Sequence, residues 1–262
     1  MTRRNNVLMV IFGSMAMVIL YLPLVLVVVF SFNSAQRGMV WESFSFKWYQ
    51  SVWSDSAVIS SLKNTLSIAS ATGGVSLIGG LLCGYAVGTS RGKAFSLTLP
   101  LLFIPAILPD LVVALAQALL YKLAGLPKGL LTIVLSQATF GIAYVALFVV
   151  VRIKSIPYQG YVIAAQTLGA SPTRVVRDHF VPLAFPAAVA GVALVVAMSA
   201  QDFIYAFFCG GPATTTLSVR IYSMVKFGVN SSVNVVYVFL AGVALVAYWV
   251  SETTFNQRRL KR

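Results

Sequence analysis

Six apolar runs, each long enough to cross a bilayer, dominate this chain and leave few folds open to it. They lie at about 7–32, 60–89, 95–121, 130–151, 184–208 and 232–251. A helix needs about 20 apolar residues to span the hydrocarbon core. Inside lipid every backbone N–H and C=O must find a partner within the structure, so runs of this length become helices. A transmembrane barrel would instead show short alternating strands. Only 10% of the residues are charged, where a soluble domain carries about a quarter. The expected fold class is all-α: a polytopic membrane protein with six transmembrane helices. We treat it as a single transmembrane domain over 1–262, with a core at about 60–251.

The net charge of +13 invites a nucleic-acid reading. The basic residues flank apolar runs instead of sharing one polar face, so they read as topology signals and no nucleic-acid partner is expected. With the N-terminus inside, the inner segments hold Arg3, Arg4, Arg91, Lys93, Arg152, Lys154, Arg174, Arg177, Arg258, Arg259, Lys261 and Arg262, twelve of the nineteen cations. Both termini are therefore expected in the cytoplasm. The start, Met-Thr-Arg-Arg-Asn-Asn, resembles a signal-peptide n-region, but Val7 to Phe32 is too long for a signal core and reads as a retained first span. Cys83 and Cys209 lie in apolar runs and read as small buried hydrophobes. One histidine and no Cys/His spacing argue against a metal site.

Proline punctuates the third run at Pro100, Pro105 and Pro109, which predicts a broken helix there. The loop at about 33–59 carries Trp41, Phe44, Phe46, Trp48, Tyr49 and Trp53. It reads as an interfacial aromatic belt or as a short amphipathic helix on the outer surface. Gly210-Gly-Pro-Ala-Thr-Thr-Thr-Leu reads as an outer turn, and Ser218 to Val229 as a second short surface or re-entrant helix.

The one polar, Gly/Pro-punctuated block among these runs is a loop at about 155–183, reading Tyr161-Val-Ile-Ala-Ala-Gln-Thr-Leu-Gly-Ala-Ser-Pro-Thr-Arg-Val-Val-Arg-Asp-His-Phe-Val-Pro182. Ala164, Ala165, Gly169 and Ala170 put small side chains within about two helical turns. Gly169 suits a left-handed helix end. Ser171-Pro172 is an N-cap with proline at the first helical position. Val175, Val176, Phe180 and Val181 oppose Arg174, Arg177 and Asp178, and Pro182 is expected to stop the second helix where the fifth span begins. Helix, sharp turn, helix is a handle for a soluble partner. The bland alternative is an interfacial connector.

This block resembles the EAA loop of permease subunits of bacterial ATP-driven importers that use a solute-binding protein. Ala164, Ala165, Gly169 and Pro182 match the family pattern at its spacing. Ile163, His179 and Val181 replace the family's Glu, Ile and Leu. The likeness extends through Tyr21-Leu-Pro, Ser31-Phe-Asn-Ser, Trp48-Tyr, Leu66-Ser-Ile-Ala, Pro109-Asp110, Ala138-Thr-Phe, Leu168-Gly-Ala-Ser, Gly211-Pro and Ile221-Tyr-Ser-Met-Val-Lys-Phe-Gly-Val. Those segments are similar to spermidine/putrescine importer permeases, specifically the second permease of the pair.

The resemblance implies the type I importer permease fold, in a bacterial inner membrane. It implies a second permease, heteromeric given Ile163 in place of the Glu, an ATPase dimer and a periplasmic binding protein. It places ATPase coupling on Ala164, Ala165, Leu168, Gly169, Ala170, Ser171, Arg174 and Pro182. ATP and Mg would sit on the partner, and this chain has no Gly-x-x-x-x-Gly-Lys-Ser/Thr.

Asp110 and Asp202 are the acids within apolar runs. A mid-membrane carboxylate is costly and faces protein or water. Asp110 follows Pro109 and reads as a cap on the second half of the broken span or as a solute-pathway acid. Asp202, mid-run in the fifth span, reads as an attractor for a cationic solute or as a paired structural acid. Gln201, Tyr205, Gln117 and Tyr144, with Asn64 and Gln137, are further pathway candidates, each also readable as a helix–helix hydrogen bond. His179 has no nucleophile constellation around it and reads as a loop surface residue.

Three function classes compete. The first is the permease subunit. The second is a stand-alone carrier or channel for a small cationic solute. The third is an intramembrane aspartyl enzyme, which the Pro-Asp and Gln-Asp contexts oppose.

Overall fold

A computed structural model describes residues 3–36, 40–90, 92–226 and 231–242. Among them the chain is helical, and it divides into two compact units. The basic residues Arg91, Arg258, Arg259, Lys261 and Arg262, used above to orient the chain, lie outside the described residues.

The first unit comprises residues up to Ile59 and from Arg220 onward. Helix α1, Arg3–Ser31, is apolar from Val7 onward and exposed from Met9 to Leu26, as lipid-facing helices are. Its end is tied down by polar contacts. Ser31 Oγ meets the Tyr49 hydroxyl at 2.8 Å, and Asn33 Nδ2 donates to Val40 O at 2.7 Å. Phe32, Phe44, Phe46 and Tyr49 stack into one aromatic cluster. The amphipathic helix expected in the outer loop is α2, Lys47–Ser54, with Trp48 and Val52 buried. Asp55 follows it. Its Oδ1 accepts from the Ala57 N–H at 2.8 Å, and its Oδ2 accepts from Arg220 at 3.2 Å. Burial pushes the Asp55 carboxyl up. The bond from the Ala57 N–H and the bond and charge of Arg220 outweigh that and hold its pKa below the ordinary carboxylate value.

The second unit, Ser60–Val219, holds the packed core. Helix α3, Ser56–Thr89, is followed by α4, Gly92–Ile107, α5, Asp110–Leu123, and α6, Leu130–Lys154. Helices α4 and α5 form one broken span, bent by 90°. Leu108 precedes Pro109, whose ring disfavours helical backbone in its neighbour. Helix α6 is the buried centre, with Val145, Val149 and Ile153 packed among Phe180, Ala184, Ala188 and Val195. Close approach depends on small residues. A Cβ on Gly80 would collide with Val145, and one on Gly84 with Val149. Membrane helices lack a hydrophobic drive toward each other, so such contact is what holds them.

Helix α7, Tyr158–Thr167, is followed by a turn and then α8, Pro172–Gln201. Two expectations fail here. Pro182 does not stop the helix: α8 runs straight through it. Residues Val176–Phe180 form a π-turn in which the Val181 N–H reaches Val176 O. The widened turn absorbs the ring and missing N–H of Pro182, which would otherwise break an α-helix. The fifth span also ends early, at Gln201 instead of 208. Helix α9, Ile204–Cys209, resumes after a break, and α10, Leu217–Lys226, is the described part of the short helix expected at Ser218 to Val229, whose last three positions lie outside the described residues.

Four helices are long and apolar enough to cross a membrane, and the bent pair makes five among the described residues. The sixth predicted span begins as α11, Ser232–Gly242; its remainder, to 251, lies outside the described residues.

Candidate functional site

Two helix breaks build the site. At the first, Pro109 is extended (φ −57°, ψ 125°) and α5 starts at Asp110. The N-cap position is held by Pro109, and Asp110 is the first residue of α5, where the positive end of the helix dipole favours an acid. At the second break Asp202 itself is extended (φ −65°, ψ 129°). It therefore does not sit mid-helix. Its carboxylate takes the first free N–H groups of α9, accepting from Ala206 at 3.0 Å and from Tyr205 at 3.4 Å. A short acidic side chain competes well for such orphan donors, which is why the helix breaks there.

A cavity of about 510 Å³ lies against both breaks. Asp110, Asp202, Gln201, Tyr205 and Tyr144 line it, together with Phe140 and Met198. Five of the residues singled out from sequence thus share one wall. The buried Tyr205 touches both acids, since its hydroxyl donates to Asp110 Oδ1 at 3.4 Å and its backbone N–H to Asp202. Phe140 and Tyr205 pack ring to ring at 5.6 Å.

Other candidates stand elsewhere. Gln117 donates to Thr139 Oγ1 at 3.2 Å, bridging α5 to α6. Asn64 donates to Ala213 O and Thr215 O and fastens the Gly-Gly-Pro turn. Gln137 is fully buried behind Asp202 and donates to its Oδ2 at 2.9 Å. Cys209 is buried, in contact with Ser136 Oγ.

The polar loop forms a separate knob. Helix α7 ends in a Schellman turn: the Ala170 N–H reaches Ala165 O at 3.0 Å and the Gly169 N–H reaches Gln166 O at 2.9 Å. Gly169 has φ +82°, and nothing lies within 4 Å of where a Cβ would stand. Ser171 then caps α8, its Oγ accepting from the Arg174 N–H at 3.4 Å, with Pro172 at the first position. Val175, Phe180 and Tyr158 anchor the knob inward, with Tyr85 edge-on to Phe180 at 4.8 Å. Ala164, Gly169, Ser171, Arg174 and Pro182 face outward, Ala165 and Ala170 are half-buried, and Leu168 is 88% exposed.

The family model described as binding-protein-dependent transport system inner membrane component matches residues 77–258. The chain belongs to this family. It is a multi-pass inner-membrane permease subunit of an importer; it is not an enzyme, and the stand-alone carrier is set aside. The permease is 31% identical over 233 residues to the spermidine/putrescine transport system permease protein PotC of Escherichia coli (strain K12), covering 89% of this chain and 88% of PotC. It is also 31% identical over 255 residues to the putrescine transport system permease protein PotI of the same strain, covering 91% and 89%. Among solved structures it resembles a bacterial ABC transporter involved in the import of the acidic polysaccharide alginate. The TM-score is 0.72 at 16% identity, over 97% of this chain and 98% of that one. An amino acid ABC transporter matches at TM-score 0.59 and 17% identity, over 83% and 100%. These two likenesses establish the importer permease fold.

Sequence reasoning about this permease named Gln137 but missed Thr72 and Ser199, whose hydroxyls hold it behind Asp202. They lie inside apolar helices, a pattern that marks interhelical bonding without saying to what. Phe140 and Met198 carried no signal separating a cavity wall from ordinary core.

Proposed function

We propose that this permease, paired with a second and different permease subunit, forms the membrane path for a polyamine such as putrescine or spermidine, or for a related cationic solute. The observation that carries the reading is the cavity at the two helix breaks. Two acids stand on one wall among Phe140, Tyr144 and Tyr205. Carboxylates offset the desolvation of an ammonium group, and aromatic faces attract it further, by about 0.5–2 kcal/mol each. The methylene stem between two amines suits the apolar remainder of the wall. PotC and PotI, by name, belong to spermidine/putrescine and putrescine transport systems.

The rest of the mechanism follows from the knob. Both termini and the loop at 155–183 face the cytoplasm. A periplasmic binding protein delivers solute to the outer mouth. Two ATPase subunits, which hold ATP and Mg, close and push on Ala164, Ala165, Leu168, Gly169, Ala170, Ser171, Arg174 and Pro182. An apolar side chain as exposed as Leu168 at a loop tip is what a docking partner would cover. The knob is stapled to the core through Phe180, so a push reaches the span that ends at Asp202. No ATP site is needed on this chain.

Amine uptake by the reconstituted complex tests the cavity role. Asp202→Asn should depress import of a cation more than import of a neutral analogue. Equal uptake of both at the native rate would remove Asp202 from the path.

A further inference from the structure

Behind the cavity wall lies a buried polar chain. Gln137, at the centre of α6, is fully buried. Its Oε1 accepts from Thr72 Oγ1 of α3 at 3.1 Å and from Ser199 Oγ of α8, and its Nε2 donates to Asp202 Oδ2. Thr72 and Ser199 are buried as well. An amide has two faces of opposite character, acceptor and donor, and a flip exchanges them. Here the flip is blocked. It would turn the carbonyl oxygen toward a carboxylate and take it away from two hydroxyl donors. Three helices therefore hold one amide so that it can only donate to Asp202.

We propose that Gln137 is a positioning residue for transport. By donating from behind, it fixes the Asp202 carboxylate on the cavity wall as the anchor for a solute ammonium group. The inference rests on the reading of the cavity as the cation path. Its site is distinct from an ordinary helix–helix bond in one respect. The bond ends on an acid that lines a cavity, and that acid also accepts the Tyr205 and Ala206 N–H groups. With three donors fixed on the protein side, the carboxylate has a defined place and little freedom to swing. Gln137 itself does not touch the solute.

The test uses the whole complex with its amine-loaded binding protein in proteoliposomes. It reads amine uptake, ATP hydrolysis and their ratio for Gln137→Leu, Asp202→Asn and the exchange Q137E/D202N. The exchange keeps an acid–amide pair and acceptors for Thr72 and Ser199. It moves the charge from the cavity wall to the buried position.

If Gln137 positions the anchor, Gln137→Leu assembles and hydrolyses ATP but moves about tenfold less amine per ATP. That is the fold-change carried by a hydrogen bond to a charged group. The exchange variant assembles and is equally defective. Native uptake by the exchange variant would show that only the bond matters, and would overturn the proposal. Native uptake by Gln137→Leu with Asp202→Asn impaired would overturn it alone. Native uptake by Asp202→Asn would overturn the cavity reading and this inference together. Should Gln137→Leu fail to assemble, Gln137→Met, which keeps the length of the side chain but cannot donate, takes its place, and native uptake by it would overturn the proposal.

Discussion

Gly169 offers a way to separate what the loop does for itself from what it does for a partner. Its φ of +82° is left-handed, and two turn-closing bonds, from Gly169 and Ala170, depend on it. A Cβ added there meets no atom of this chain within 4 Å. The intramolecular cost of a side chain is therefore conformational only, about 1–2 kcal/mol for alanine. That is a shift of the turn equilibrium by roughly five- to thirtyfold. Asn and Asp tolerate left-handed backbone better, so their intrinsic cost is smaller. Ordered by strain alone, loop function should fall as Gly, Asn and Asp, Ala, then Val.

Docking on an ATPase predicts a different order, because size and charge at a contact surface matter more than strain. Gly169→Asp should abolish transport while the subunit inserts and keeps its thermal stability. Gly169→Ala should retain part of the activity. The assay is uptake and binding-protein-stimulated ATP hydrolysis by the complex, alongside the melting of the purified subunit. Transport at the native rate by Gly169→Asp would refute the coupling role of the knob.

Other outcomes follow from the packing and the charges. Gly80→Val should overpack the α3–α6 contact and cost about 1–3 kcal/mol, read as a lowered Tm and poorer yield of subunit. Asp55 has a depressed pKa in the folded protein. Its contribution to stability is complete above the pKa of the unfolded chain and is lost as pH falls through the lower, folded value. Melting between neutral and strongly acid pH should therefore be less acid-sensitive in Asp55→Asn than in the native chain. Truncating Leu168→Ala should leave folding untouched, since the side chain is exposed, yet weaken co-purification of an ATPase; unchanged recovery would contradict the docking role.

The sequence carried most of the fold in plain view, because lipid permits so few structures. Long apolar runs had to be helices, and Pro109 announced the break in the third. The loop was legible to its hydrogen bonds: Gly169 takes the left-handed turn and Ser171 the cap, as their chemistry requires. The π-turn that carries α8 past Pro182 was not legible, since nothing in Val-Arg-Asp-His-Phe spells i→i−5 bonding. The break at Asp202 was missed for a related reason. A carboxylate in an apolar run reads as a buried charge until one sees that it has taken over the N–H groups of the next helix. Of the pathway candidates, Asp110, Gln201, Asp202 and Tyr205, beside the two breaks, came together on one cavity wall with Tyr144 of α6. Gln117 and Asn64, well inside helices, bond neighbouring elements instead. Burial and polarity alone could not separate the two groups.

On the function proposed above, this permease couples ATP hydrolysis on a partner to import of a polyamine or related cation. The most direct measurement is ATPase activity of the whole complex in nanodiscs, co-expressed with its neighbouring gene products. It would be assayed with binding protein empty or loaded with putrescine, spermidine or other amines. An ATPase should co-purify, and one amine-loaded binding protein should stimulate it above the empty one. Assembly without stimulation by any amine would contradict the polyamine assignment, and failure of any ATPase to co-purify would contradict the coupling itself.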